Sequence, residues 1–278
     1  MSYLNNLPLG LYEKAVCQSL PWEKKLTLAR ESGFDYFEMS VDTTPERLAR
    51  LTSREEILEI RRAVESTNCP IYTMALTVNR TYPAGSLDAA VRDAGQKLVQ
   101  QGICFAAEVG IRVVHLAGYD EHVPRCSRET ERRFTESMAE YAAFAARYGV
   151  ILAVETMETE YMGSCKNIAR LVRELDSPYF QCYADIGNLT ARGVDLAADI
   201  PEGGSHIVGI HLKDARPGVC RDVPFGEGIV DFQRALAILN DIHYSGFFAA
   251  EMWCYEHPEF HGYLPEVCAF LRCEISKI

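Results

Sequence analysis

Short apolar runs alternate with longer segments of helical period along this chain. The runs are Leu7–Tyr12, Tyr36–Val41, Ile71–Leu76, Val113–Gly118, Val150–Val154, Phe180–Ala184, Ile207–Leu212 and Phe247–Met252, and each predicts a strand. Between them the periodicity predicts helices at Trp22–Ser32, Arg54–Ser66, Ala89–Val109, Arg128–Tyr148, Cys165–Leu175 and Phe232–Ile242, with a weaker one near Leu196 and a last one near Pro265–Ser276. Gly33, Gly110 and Gly149 each stand just before the next strand, where helix C-terminal glycines belong. Ser127 precedes a charged first turn and predicts an N-cap. Eight such units in 278 residues, about 35 residues each, predict a single (β/α)8 barrel domain spanning residues 1–278. The competing fold is an open doubly wound sheet, which usually carries a glycine-rich turn after its first strand. Here that strand runs into Tyr12-Glu13-Lys14, with no G-x-G-x-x-G fingerprint and so no sign of a nucleotide cofactor.

Charge narrows the partners. Lys and Arg number 28 against 39 Asp and Glu, a net charge of −11. That balance argues against sequence-independent nucleic-acid binding and against an anionic membrane surface. No apolar run approaches the ~18 residues a membrane helix needs, and the N-terminus shows no signal-peptide pattern. The 10 cysteines contain no C-x-x-C and read as scattered reduced thiols, as expected in the cytoplasm.

Candidate chemistry appears where the later strands stop. The fifth run ends at Glu155, the sixth at Asp185, the seventh at His211 and the eighth at Glu251. Barrel enzymes place function at the C-terminal ends of their strands, so these four side chains are expected at one mouth. Each alone has an ordinary explanation: a turn initiator for Asp185, a rim ion pair for either glutamate, a hydrogen-bonded histidine for His211. Four in succession point elsewhere. Three converging carboxylates repel unless something compensates, and one divalent cation is the simplest compensation. Three oxygens and one nitrogen suit Mn²⁺, Mg²⁺, Co²⁺ or Zn²⁺ without choosing among them.

More polar residues crowd the same face. Glu13 and Lys14 follow the first strand, and Asn79 and Arg80 the third. Glu38, Ser40 and Asp42 alternate along the second and so point one way. Lys213, Asp214 and Arg216 follow His211. In Pro224–Gly228 the glycines permit a tight loop and a close backbone approach to a ligand, or simply an ordinary βα loop. His115 within the fourth strand, and His122, His206, His243, His257 and His261, read as structural or loop histidines.

The segments Leu9–Ala15 (LGLYEKA), Phe37–Asp42 (FEMSVD), Val114–Asp120 (VHLAGYD), Asp185–Leu189 (DIGNL), His211–Asp214 (HLKD), Val223–Gly228 (VPFGEG) and Glu251–Trp253 (EMW) resemble the L-ribulose-5-phosphate 3-epimerases of bacterial ascorbate and xylulose catabolism, which are xylose-isomerase-like TIM barrels. The resemblance runs from Leu7 to about Trp253. It implies a divalent-metal enzyme that inverts C3 of a ketose phosphate, with Glu155, Asp185, His211 and Glu251 as metal ligands. It also implies that Glu155 and Glu251 work from opposite faces of the sugar, one removing the C3 proton and the other returning it. A metal at the C2 and C3 oxygens would stabilise the enediolate, and the two carboxylates would serve as base and acid. By the same resemblance Arg216, Glu158 and Asn188 lie near the sugar, while Lys213, Arg80 or Lys14 meets a phosphate. Two positions depart from the family: Asn79-Arg80-Thr81 stands where His-Arg-Arg is more usual, and Arg216 where Lys is. Both bear on which sugar is recognised, and on whether it is phosphorylated.

The alternatives are an aldose–ketose or sugar-acid isomerase on the same barrel, and a 3-epimerase of a free ketose. A DNA-repair endonuclease of this barrel type would need several zinc ions, many histidines and a positive groove, against 7 histidines and a charge of −11 here. A catalytically dead binding protein would have lost part of the ligand set. The class is compatible with a dimer or tetramer.

Overall fold

A computed structural model describes residues 2–122, 124–254 and 256–278. Eight parallel strands close into a barrel: β1 (Leu9–Tyr12), β2 (Tyr36–Val41), β3 (Ile71–Leu76), β4 (Val113–Ala117), β5 (Ile151–Glu155), β6 (Phe180–Asp185), β7 (Ile207–Leu212) and β8 (Phe247–Ala250). Each pairs with its successor, and β8 returns to β1 through Leu9–Phe248, Gly10–Ala249 and Leu11–Ala250. Around them lie α1 (Trp22–Glu31), α2 (Pro45–Arg50), α3 (Arg54–Thr67), α4 (Ala89–Val109), α5 (Arg128–Tyr148), α6 (Cys165–Leu175), α7 (Ile186–Ala191), α8 (Leu196–Gly203), α9 (Phe232–Asp241) and α10 (Leu264–Ser276). The (β/α)8 barrel expected from the pattern is therefore the fold. No described helix is long and apolar enough to cross a membrane.

The strands are apolar on both sides because both sides are covered. Outward residues such as Leu11, Met39, Met74 and Leu152 join the core beneath the helices. Val113, Ala153 and Tyr183 form a separate buried cluster inside the barrel. Helix ends follow local chemistry. Ser127 caps α5, accepting the Thr130 N–H while the Thr130 hydroxyl accepts the Ser127 N–H. Gly110 and Gly149 close α4 and α5 at φ of 92° and 66°. The short α2 and α7 were not visible as periodic segments, since 6 residues barely exceed one turn.

Two tyrosines plug the barrel below its mouth, and glycines make room for them. A Cβ on Gly10 would lie 2.3 Å from the Tyr36 ring, and one on Gly209 would lie 2.1 Å from the Tyr183 ring. Tyr36 donates its hydroxyl to the Phe248 carbonyl at 2.9 Å. Tyr183 donates to Glu38 Oε2 at 2.7 Å. Above this floor the interior becomes polar.

Candidate active site

Residues alternate along a strand, so Gly209, His211 and Lys213 face inward in sequence, as do Tyr183 and Asp185, and Ala249 and Glu251. A register shift between Cys182 and Tyr183 brings Asp185 level with His211. The result is a buried cluster of Glu155, Asp185, His211 and Glu251, whose donor atoms all lie within 4.8 Å of one another. His211 Nδ1 is 3.1 Å from Glu155 Oε1, 3.2 Å from Glu251 Oε2 and 3.8 Å from Asp185 Oδ2. Three carboxylates thus surround one ring nitrogen.

The other nitrogen of His211 is fixed by a residue from β2, across the barrel. Nε2 lies 2.5 Å from Glu38 Oε1, while Glu38 Oε2 accepts from Thr73 Oγ1 at 2.5 Å. That orientation leaves Nδ1 aimed into the carboxylates. His115 stacks on Tyr183, with ring centroids 4.0 Å apart, and stands 3.5 Å from both Glu38 and Glu155. The inward alternation Val113, His115, Ala117 was the signal in the sequence for this role, and the loop-or-core reading of His115 overlooked it.

Electrostatics follow from this crowding. Burial alone would raise the Glu155 pKa, but His211 and His115 outweigh it and hold it at about 2. Glu251 is likewise buried yet held well below the usual carboxylate range by Lys213 and His211. Asp185 is raised, chiefly by burial, with Lys213 opposing. His211 is pushed far above its ordinary value because Glu38, Glu251 and Glu155 outweigh its desolvation. Asp185 Oδ2 and Glu251 Oε2 are buried and both face the Lys213 ammonium, at 2.7 and 2.9 Å. Three buried carboxylates converging on one ring nitrogen, a histidine oriented from behind and an O₃N donor set fit a divalent cation.

A cavity of about 240 Å³ opens on this cluster at the C-terminal mouth. Among its walls are Tyr12, Lys14, Arg80, Asn188, Arg221 and Trp253. Of the residues expected around a substrate, Lys14, Arg80, Glu158, Asn188 and Lys213 are there. Lys14 pairs with Asp42 at 3.0 Å. Arg80 donates to the Tyr119 hydroxyl at 2.8 Å, and that hydroxyl donates to Glu158 at 2.5 Å. Asn188 donates to the Thr156 carbonyl at 2.8 Å and leaves its own Oδ1 without a partner. Arg216 is not among the lining residues: it is exposed and turned to Glu227 at 3.3 Å. Arg221, which the sequence reading passed over, lines the cavity instead, with its guanidinium 5.9 Å from the Trp253 ring. Asn79 is buried and donates to the Ala117 carbonyl, a tie between loop and strand.

The expectation for Pro224–Gly228 changes. The loop approaches a protein carboxylate: Asp214 accepts the N–H groups of Ala215, Gly226, Gly228 and Val230. A Cβ on Gly228 would fall 2.0 Å from Asp214 Oδ1. This loop walls a second cavity of about 610 Å³, which shares Lys213, Glu251 and Trp253 with the first.

A closed parallel barrel with a buried carboxylate–histidine cluster at its C-terminal mouth has the layout of a barrel enzyme, and its relatives place it in the isomerase class. Residues 26–272 match the xylose isomerase-like TIM barrel family. L-ribulose-5-phosphate 3-epimerase UlaE of Salmonella heidelberg (strain SL476) is 45% identical over 248 residues, 89% of this chain and 87% of that protein. The protein of the same name from Shigella flexneri is 40% identical over 272 residues, 98% and 96% of the two chains. Among solved structures, D-allulose 3-epimerase from Methylomonas sp. superposes with a TM-score of 0.83 at 16% identity, covering 96% of this chain and 98% of that one, a likeness of fold. The chain belongs to the L-ribulose-5-phosphate 3-epimerase family of xylose isomerase-like barrels.

Proposed function

We propose that the chain, as one barrel domain, interconverts L-ribulose 5-phosphate and L-xylulose 5-phosphate by inverting C3. The observation that carries this is the Glu155–Asp185–His211–Glu251 cluster in a chain 40% and 45% identical to proteins of that name. These four residues would hold one divalent cation, which supplies Lewis-acid stabilisation of negative charge developing on the ketose oxygens.

Glu155 and Glu251 come from β5 and from just beyond β8, and are the proton carriers of the proposal. Both are held low, so the one that takes the C3 proton is ready as a carboxylate, while the other must first take a proton from solvent before it can return one to the opposite face. Their settings differ: His115 borders Glu155 at 3.5 Å and Lys213 borders Glu251 at 2.9 Å. That asymmetry supports one acting as base and the other as acid in each direction. Lys213, kept protonated by Asp185 and Glu251, adds positive charge where the enediolate forms. Tyr12, Met157 and Trp253 wall the cavity and limit water. Arg221 and Lys14 are the cations proposed to meet the phosphate, with Arg80 held at the rim by Tyr119. The reaction needs no nucleotide, and the ten free cysteines favour the cytoplasm.

One observation favours a free ketose: Lys14, Arg80 and Lys213 are each already engaged by a carboxylate or a tyrosine. NMR in D₂O with Mn²⁺ separates the readings, using L-ribulose 5-phosphate and L-ribulose side by side. The proposal expects deuterium at C3 of the phosphorylated sugar and L-xylulose 5-phosphate as product. Glu155→Gln and Glu251→Gln should each cost roughly 10²–10⁴ in rate. Faster exchange with free L-ribulose would transfer the activity to the unphosphorylated sugar. Exchange confined to C1 would make the enzyme an aldose–ketose isomerase.

A further inference from the structure

Cys17 and Cys254 stand 237 residues apart in the chain, yet their sulfurs are 3.7 Å apart and both are buried. Closure of β8 on β1 brings them together: Cys17 follows the short turn Glu13–Ala15, and Cys254 lies three residues beyond Glu251. His261, in the 3₁₀ segment Pro258–Tyr263, completes the group, with all three donor atoms within 4.8 Å of one another. Its Nε2 accepts the Cys17 N–H at 3.2 Å, so that nitrogen is unprotonated, and a cation bound through it would take its lone pair over from the Cys17 amide. Burial lowers the His261 pKa and favours the neutral ring.

The sulfur spacing is informative. A disulfide requires about 2.05 Å, so the pair is reduced here. Two thiolates on one tetrahedral zinc, with Zn–S near 2.3 Å, are separated by about 3.8 Å. The thiols already stand at the length of that tetrahedral edge.

We propose that Cys17, Cys254 and His261 form a second metal site, for a thiophilic divalent cation of the zinc class, distinct from the carboxylate cluster. Sulfur and imidazole select such ions, whereas an O₃N set also admits Mn²⁺ and Mg²⁺. Binding is a proton exchange: the cation forms two bonds to sulfur and one to nitrogen, the two thiols release two protons to solvent, and no electron is transferred. Without a metal Cys17 remains a thiol, its pKa pushed up to about 11 mainly by burial. The fourth position falls to water. The site would brace the catalytic mouth, because the Cys254 N–H donates to the Lys14 carbonyl at 2.8 Å and Trp253 is its neighbour. Both Lys14 and Trp253 line the cavity.

Cobalt distinguishes the two sites, because only a thiolate site gives intense sulfur-to-Co²⁺ charge-transfer absorption. Reduced, chelator-stripped full chain is titrated with Co²⁺ without oxygen. The expected result is two ions per chain, one bringing the charge-transfer band and release of two protons. Cys17→Ser with Cys254→Ser should abolish the band and one equivalent while keeping the other. Asp185→Asn should keep the band, so failure of the catalytic reading leaves this test intact. His261→Gln, at a partly exposed position, should raise the Co²⁺ needed for the half-maximal band at least about tenfold, and it reads the same site if the double serine variant does not fold. No band in the wild type, an undiminished band in the double variant, or a Cys17–Cys254 disulfide peptide from the cobalt-treated protein would overturn the proposal.

Discussion

Replacing Glu38 by glutamine tests whether His211 is a metal ligand oriented from behind. Glu38 is fully buried, and its two oxygens are committed: Oε1 to His211 Nε2 at 2.5 Å, Oε2 to Thr73 at 2.5 Å and Tyr183 at 2.7 Å. An amide cannot serve all three. With its oxygen toward the hydroxyls, its NH₂ faces His211 Nε2, which must then accept. The ring then carries its proton on Nδ1, among Glu155, Asp185 and Glu251, where the lone pair is needed. A hydrogen bond to a charged partner contributes about 1.5–3 kcal/mol, or roughly 10- to 150-fold in an equilibrium constant. Calorimetric titration of Glu38→Gln with Mn²⁺ should therefore show affinity weakened by one to two powers of ten, with kcat falling alongside. Thermal melting of the metal-free variant establishes that it is folded. A folded variant that binds Mn²⁺ within threefold of the wild type would refute the orienting role.

Glu13→Gln should destabilise the protein by about 3–5 kcal/mol, because buried Lys25 at 3.0 Å and Arg50 at 2.9 Å lose their counter-charge. Burial alone would raise the Glu13 pKa, but Arg50, Lys25 and Arg47 hold it well below the usual range. The contribution is therefore fully present above the unfolded value near pH 4.3 and is lost as pH falls toward the depressed folded value; urea melts of both proteins should show a constant gap from neutral pH to about 5 that narrows below about 4. Arg221→Ala should raise KM for the phosphorylated ketose and leave the free ketose unaffected, whereas exposed Arg216→Ala should shift stability by less than about 0.5 kcal/mol and KM little. Equal effects of the two arginine variants would remove Arg221 from recognition. Gly209→Ala should cost about 1–3 kcal/mol or more by driving a methyl into the Tyr183 ring, read as a lowered Tm; an unchanged Tm would show that Tyr183 can yield.

Much of this was legible in the chain. The strand ends at Glu155, Asp185, His211 and Glu251 show themselves because each closes an apolar run with a side chain too polar to lie under the helices. Where those strands meet is fixed by barrel topology, which the repeat of eight units already implied. Glu38 and His115 are harder to see. Each has an apolar neighbour on either side, and only the barrel's curvature brings β2 and β4 against β7. The choice between Arg216 and Arg221 depends on the path of one loop, set by Asp214 gathering backbone N–H groups, which no periodicity records. The glycines of that loop looked like ligand-facing positions because close approach is what glycine permits, whether the neighbour is a substrate or a carboxylate. Cys17 and Cys254 meet only because the last strand rejoins the first.

Trp253 acts as a partition wall. The cavity at the carboxylate cluster and the larger one beneath the Pro224–Gly228 loop both have Lys213, Glu251 and Trp253 on their boundary. Lys213 and Glu251 are tied to the chemistry, so the indole is the one element of that wall free to be remodelled. Shrinking it, as in Trp253→Ala, would merge the two chambers and give a longer ketose somewhere to extend, and relative turnover of six- and five-carbon substrates by that variant would measure it. On that reading one side chain just beyond β8 would set the length of sugar the barrel takes, and it could drift in evolution without disturbing the Glu155, Asp185, His211 and Glu251 cluster.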